Sequence, residues 1–238
     1  MESAIAFSPD GRWLATGHAD RTARIWEIAT GKEARRIDRN DARVSGAEFG
    51  RDGRTLLTVA AVDVLLWDLL SDRAEGNDLV AFWTDLSSDD AAKAYRAAAA
   101  LALRKDEATE FLKGKLVRVP AIDSEKTANL VADLDSDRFP VREAATKGLT
   151  NLGGAARAAL EKGLANGPSA EGSKRIEELL ERLHKPLAGS DAREVRAVQV
   201  LQWINSEAAR TLLKNLAAGA DGARLTEEAR RTMSVTAE

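Results

Sequence analysis

The chain has 238 residues, 44% hydrophobic and 31% charged, enough apolar content for a packed core and too much for global disorder. The net charge of −3 arises in the first 78 residues, and neither part is compositionally a basic nucleic-acid surface. With no cysteine, disulfides, thiolate chemistry and Cys-ligated zinc are excluded; no apolar run nears the ~20 residues of a membrane span, and no signal-peptide pattern is visible at the start.

The first third holds an internal repeat. Phe7-Ser-Pro-Asp10-Gly11 aligns with Phe49-Gly-Arg-Asp52-Gly53 at a spacing of 42 residues, and Trp26 with Trp67 at 41. Each copy reads as short strands joined by tight turns. Ser3–Phe7, Trp13–His18 and Thr22–Trp26 alternate or are rich in β-branched and aromatic residues, and Lys32–Ile37 follows as an outer strand. Gly11 can take the positive φ that a tight turn needs, and Ala29-Thr-Gly31-Lys is another turn signal. The second copy repeats the pattern with Val44–Phe49, Thr55–Val59 and Val62–Trp67, then lacks an outer strand.

From Asp78 the period changes from two to about 3.6. Leu79–Leu86 is a short amphipathic stretch. Ser87-Ser-Asp-Asp90 is an N-cap cluster opening an Ala-rich helix to Leu103. Lys105–Leu116 and Ser124–Asp133 are further helices, separated by the breaker Pro120. In LDSDRFPVREAATKGLTNLG, residues 134–153, Asp137 is expected to cap, Pro140 to sit in the first turn and Gly153-Gly154 to end the helix. Val141, Ala144, Ala145, Leu149 and Leu152 form its apolar stripe, and Ala155–Leu164 is its expected partner. Helical patterns continue at 169–184, 191–204, 206–218 and 225–233.

The stretches FSPDGRWLATGHADRTARIW and FGRDGRTLLTVAAVDVLLWD resemble the WD-repeat family of β-propellers. The resemblance implies that Asp20, Thr16 and Trp26 form one hydrogen-bonded group; in the second copy Asp52-Gly53 matches the Asp10-Gly11 turn and Trp67 matches Trp26. There Ala61 replaces the turn Asp, Asp63 is displaced into the strand, and Arg39-Asn40-Asp41 stands where a Gly-His pair is expected. The second copy is therefore expected to be degenerate and less rigid. A propeller needs about 4–8 blades and two are present. The expectation is a fragment or short form of a longer WD-repeat protein; the sharper reading is a chain that closes its ring by self-association through open blade edges, with an exposed edge at Ser3–Phe7 in either case.

Residues 134–153 resemble HEAT-like helical repeats, Val141-Arg142 and the preceding Asp135/Asp137 matching the acid-then-Arg arrangement. The order of strands then FWTDLSSDDAAKAYRAAAALA resembles bacterial WD-repeat proteins with a helical tail. The fold class implied is mixed: antiparallel β, two WD-repeat blades of about seven strands, then an α-helical HEAT-like domain. The expected boundaries are 1–77, 78–119 (a helical connector) and 120–238.

No catalytic, cofactor-binding or metal-ligating set emerges. Asp133-Leu-Asp135-Ser-Asp137 begins like an EF-hand loop but has Arg138 and Ala144 where Gly and Glu are needed. His18 and His184 have no metal-ligand partner at i+4. His18 with Thr16 and Asp20 reads as turn structure, and His184 as a helix C-terminal group. Phosphate-binding, zinc-protease and serine-hydrolase motifs are absent. Asp89-Asp90, Glu177-Glu178 and Glu227-Glu228 are adjacent along helices and do not face each other. Arg35, Arg36, Arg39 and Arg43, interspersed with Glu33, Asp38 and Asp41, read as a mixed solvent face, and the five tryptophans as core or blade residues. The expectation is a non-catalytic scaffold for unknown protein partners, without cofactor, nucleic acid or membrane segment, cytoplasmic by default. Alternatives are a regulatory or targeting appendage of a larger enzyme, or a weak nucleic-acid binder through the helical repeats.

Overall fold

A computed structural model describes residues 4–236. Seven antiparallel strands come first: β1 Ile5–Phe7, β2 Trp13–Gly17, β3 Ala23–Glu27, β4 Lys32–Ile37, β5 Val44–Phe49, β6 Thr55–Ala60 and β7 Asp63–Asp68. They form sheet A, ordered β1-β2-β3-β4, and sheet B, ordered β5-β6-β7. Helices follow: α1 Leu79–Asp85, α2 Ala91–Ala102, α3 Lys105–Lys113, α4 Ser124–Asp133, α5 Phe139–Leu152, α6 Arg157–Ala165, α7 Ala170–His184, α8 Gly189–Ile204, α9 Glu207–Ala217 and α10 Arg224–Thr236, with a 3-10 turn at Gly153–Ala156. The mixed fold class read from the sequence is what the chain adopts, element by element to within a few residues.

The strand breaks are local in origin. Gly11, Gly31 and Gly53 take φ near +65° in the turns that end β1, β3 and β5, a region that costs glycine nothing. Asp10 and Asp52 close equivalent turns: each carboxylate accepts the N–H two residues on, from Arg12 (3.1 Å) and from Arg54 (2.9 Å). Asp78, Asp90 and Asp123 cap α1, α2 and α4 through N–H groups of their first turns.

The contacts divide the chain into two compact units, along boundaries different from those the sequence suggested. The first gathers the strands, α1–α3, Pro186–Lys214 and the stretch from Ala229; the second consists of Arg118–Lys185 and Asn215–Glu228. In the first unit, sheet B stacks on one face of sheet A. Gly17 is required there, because a Cβ would lie 2.7 Å from Val44 Cγ1. Ala15, Ala23 and Ile25 on that face of sheet A, and Leu56 and Thr58 on the apposed face of sheet B, are fully buried. Trp13 stacks on Trp203 of α8 at 6.2 Å between ring centroids and meets Tyr95 of α2 edge-on at 5.5 Å. Every residue of α8 from Val195 to Ile204 is buried, so this helix belongs to the core of the strand unit and not to a helical domain running from 120 to 238.

In the second unit, α4 packs on α5 and α6, and α7 packs on α6 and α5. Val131, Leu134, Ala145, Leu149, Leu160 and Ile176 are its core. The hairpins are therefore α4–α5 and α6–α7. The expected pairing of α5 with the following helix is out of phase by one helix, because the 3-10 turn at Gly153 sends α6 onto α4. Asp137 does not cap α5: the cap position is Arg138, and Ser136 Oγ accepts the Arg138 N–H at 3.3 Å. The helix does stop at Gly153, with φ 55°.

Candidate interaction surfaces

The strand unit holds two equivalent hydrogen-bonded groups. In the first repeat the Trp26 indole N–H donates to Thr16 Oγ1 at 2.9 Å, and Thr16 Oγ1 meets His18 Nε2 at 2.8 Å. Asp20 stands apart from them. Its carboxylate accepts the Thr22 hydroxyl (2.6 Å) and N–H (3.1 Å) and pairs with Arg24 (2.9 Å). These bonds, the Thr22 hydroxyl above all, hold its pKa down at about 2. In the second repeat the Trp67 indole donates to Thr58 Oγ1 at 2.9 Å, and that hydroxyl donates to Asn40 Oδ1 at 2.9 Å. Asn40 Nδ2 donates onward to the Arg21 carbonyl of the first repeat at 3.2 Å. Sequence reasoning passed over Asn40, although it lies where the Gly-His pair was expected.

Buried charges are matched within the same unit. Arg196 of α8 grips Glu27 with two bonds, Nε–Oε1 at 2.8 Å and Nη2–Oε2 at 2.7 Å. Arg12 reaches Asp10 (3.3 Å), Gln202 (2.7 Å) and Thr232 (2.8 Å). Arg35 is not on the mixed solvent face expected of it. Its guanidinium turns inward and donates to the Asp68 and Leu69 carbonyls and to Ser71, closing the chain's exit from β7. A carbonyl end that the next strand leaves unsatisfied supplies the reason. Tyr95 OH donates to the same Leu69 carbonyl at 2.6 Å, and burial pushes its pKa up to about 12.

The second unit carries a cleft of about 920 Å³ along the α4–α6 seam. Ala128, Val131 and Ala132 of α4 and Ala158 and Ala159 of α6 line it, with Lys162 at its polar margin. The helices meet closely because Gly163 has no side chain: a Cβ there would lie 2.3 Å from Val131 Cγ1. Asp135, also on the wall, accepts the Ser169 hydroxyl and N–H, which hold its carboxyl below the ordinary range. Val141 is half-buried and Arg142 donates to the Ser136 carbonyl at 2.7 Å, so both brace the start of α5 rather than the cleft. His184 sits at the end of α7 against the Leu180 carbonyl and Arg157.

Among the described residues no group of three His, Asp or Glu is placed to hold a metal ion, and no helix is long and apolar enough to cross a membrane. Residues 3–27 match the family described as WD domain, G-beta repeat. The chain is 34% identical over 67 residues to Pre-mRNA-processing factor 19 homolog 2 of Arabidopsis thaliana, covering 28% of this chain and 13% of that protein. It is 38% identical over 64 residues to Ribosome biogenesis protein ERB1 of Kluyveromyces lactis, covering 24% and 8%. It is 46% identical over 55 residues to Eukaryotic translation initiation factor 3 subunit I of Phaeosphaeria nodorum, covering 23% and 16%. The chain thus spans well under a fifth of the length of these relatives, and what it carries is a WD repeat at its N-terminus followed by a helical region.

Proposed function

We propose that the chain is a non-catalytic scaffold that binds a protein partner, with the α4–α6 cleft as the partner-facing surface. The cleft is the observation that carries this reading. It is roomy, with a floor of alanine and aliphatic side chains and with Ser124, Thr127, Asp135, Lys162, Asn166 and Asp221 also in its lining, a mixture that suits an amphipathic helix with its apolar face inward and polar groups at its flanks. The groups that could do chemistry serve the fold instead: Asp10 with Arg12, Glu27 with Arg196, and His18 with Thr16. WD repeats are generally interaction modules, which supports the same reading by fold analogy.

We read α4–α7 as two stacked HEAT-like hairpins. The support is their contact pattern, first helix on first and second on second, which is how solenoid repeats bury a continuous core. Asp137, Val141 and Arg142 then mark the turn into the second helix of the first hairpin.

Affinity capture with the wild-type chain and with Ala128→Arg and Ala158→Arg tests the cleft. Both positions are exposed on its wall, so the variants should keep the wild-type circular dichroism and lose the captured partner. Retention of every wild-type partner by both variants overturns the assignment.

A further inference from the structure

Of the seven asparagines in the chain, Asn166 is the one that glycine follows. It is the C-cap residue of α6, with φ −77° and ψ −1°, and it lies in the lining of the α4–α6 cleft. Its side chain is exposed and its amide bonds to no described residue. Gly167, with φ 70°, has open space where a Cβ would stand, so neither its own side chain nor a neighbour's crowds the junction. The other asparagines are placed differently. Asn205 precedes Ser206 and accepts from Arg210 at 3.2 Å, and Asn77 precedes Asp78 and accepts from Arg104 at 2.6 Å. Asn40 is buried and bonded to Thr58 and Arg21. Asn129, Asn151 and Asn215 precede leucine within helices.

We propose that Asn166 is a site of spontaneous deamidation, and that its conversion remodels the cleft wall. The backbone nitrogen of Gly167, its proton taken by base, attacks Cγ of Asn166. The new C–N bond closes a cyclic imide, and the side-chain nitrogen leaves with a proton as ammonia. Water then opens the imide at either carbonyl, giving aspartate or isoaspartate, with no change of oxidation state. Ring closure needs the Gly167 N–H to release the Leu164 carbonyl, 3.2 Å away, and Asn166 to leave its helical ψ. Both changes belong to the last turn of α6, and helix ends are where local opening is easiest.

Either product carries a negative charge that the asparagine lacks. The charge stands at the C-terminal end of α6, where the helix dipole disfavours an anion, and in the same lining as Asp135. Isoaspartate also adds a carbon to the main chain just before Ser169, whose N–H and hydroxyl bond Asp135. The wall formed by the end of α6 and the start of α7 therefore loosens. Any consequence for a partner rests on the cleft reading above; the modification and the loosening do not.

The wild-type chain, Asn166→Gln and Asn166→Asp are held in warm, mildly alkaline buffer, folded and in urea, and the tryptic peptide 163–174 is followed by mass spectrometry. In the folded wild type this peptide should gain the mass that separates OH from NH2, as two chromatographic species. It should do so several-fold faster than the peptides carrying Asn77 and Asn205, and faster as pH rises, while Asn166→Gln shows no gain. The aged wild type and fresh Asn166→Asp should both lose hydrogen-exchange protection at the end of α6 and the start of α7. An Asn166 that stays intact in the folded chain while the unfolded chain converts overturns the site. Conversion that leaves exchange at α6 and α7 unchanged overturns the remodelling. Neither readout involves a partner, so their failure and that of the cleft reading are distinguishable.

Discussion

Glu27, at the end of β3, and Arg196, in the middle of α8, are joined by two parallel charge-assisted bonds of 2.8 and 2.7 Å, with both side chains buried. Arg196 also donates to the Leu86 and Ser88 carbonyls at 2.6 and 3.0 Å, so one guanidinium ties a strand, a helix and the α1–α2 turn together. Removing one partner of a buried pair strands the other charge, at a cost of about 3–5 kcal/mol. Glu27→Ala and Arg196→Ala should each lower stability by that order in denaturant titrations. The double variant should cost less than the two single changes added together; strict additivity would mean that the pair is not coupled.

Asn40 joins the two repeats of the strand unit, its side chain accepting from Thr58 and donating to the Arg21 carbonyl. Asn40→Ala leaves the fully buried Thr58 hydroxyl with the Trp67 indole alone, and should cost about 1–3 kcal/mol. Hydrogen exchange should show the loss at β6 and at the β2–β3 turn together. A loss confined to β6 would contradict the link to Arg21.

Asp20 predicts part of the acid response. Its pKa is about 2 in the fold against 3.8 for the free group. The fold therefore favours the ionised form, and the stabilisation is complete above the free value and lost as pH falls through about 2. Asp20→Asn should flatten the stability profile in that window while leaving its neutral plateau lower. An unchanged acid slope in the variant would assign the acid loss to other carboxylates.

Tyr95 acts at the other end of the scale. Burial raises its pKa from 10.0 to about 12, so its neutral hydroxyl stabilises the fold below the free value, and this is lost as pH rises through about 12. Tyr95→Phe should remove that alkaline component. At neutral pH it should cost about 0.5–1.5 kcal/mol, toward the lower end, because Arg35 still donates to the Leu69 carbonyl.

In the second unit, Gly163→Ala drives a Cβ into Val131 Cγ1 at the α4–α6 seam. Overpacking of this kind costs about 1–3 kcal/mol. The change should lower protection from hydrogen exchange in α4 and α6, and Val131→Ala in the same chain should restore part of it.

The elements were legible because their signals are local. Period-two alternation, Asp-Gly turns and Asp caps each act within a few residues, and β4, β5 and α4 begin and end where the sequence places them. What escaped depends on distance. Arg196, Gln199 and Gln202 recur along α8 as a solvent stripe would, yet all three are buried. The partners of Arg196 and Gln202, Glu27 and Arg12, lie far away in sequence. Arg35 looked like one charge in a basic run until the unsatisfied carbonyls after β7 were in view. Asn40 carried no motif of its own, and its role appears only once Thr58 and Arg21 are brought beside it. The helix pairing went wrong by one helix because the stripe of α5 shows that it is covered without saying by which neighbour.

The Trp13–Trp203 stack sets a timetable for synthesis. The strand that bears Trp13 leaves the ribosome long before the helix that covers it, since residues 118–185 of the other unit are made in between. At roughly 5–20 residues per second, the indole of Trp13 waits on the order of ten seconds or more for its partner. The first unit therefore cannot close its core until most of the chain is made, and the second waits longer still for its own last segment, Asn215–Glu228.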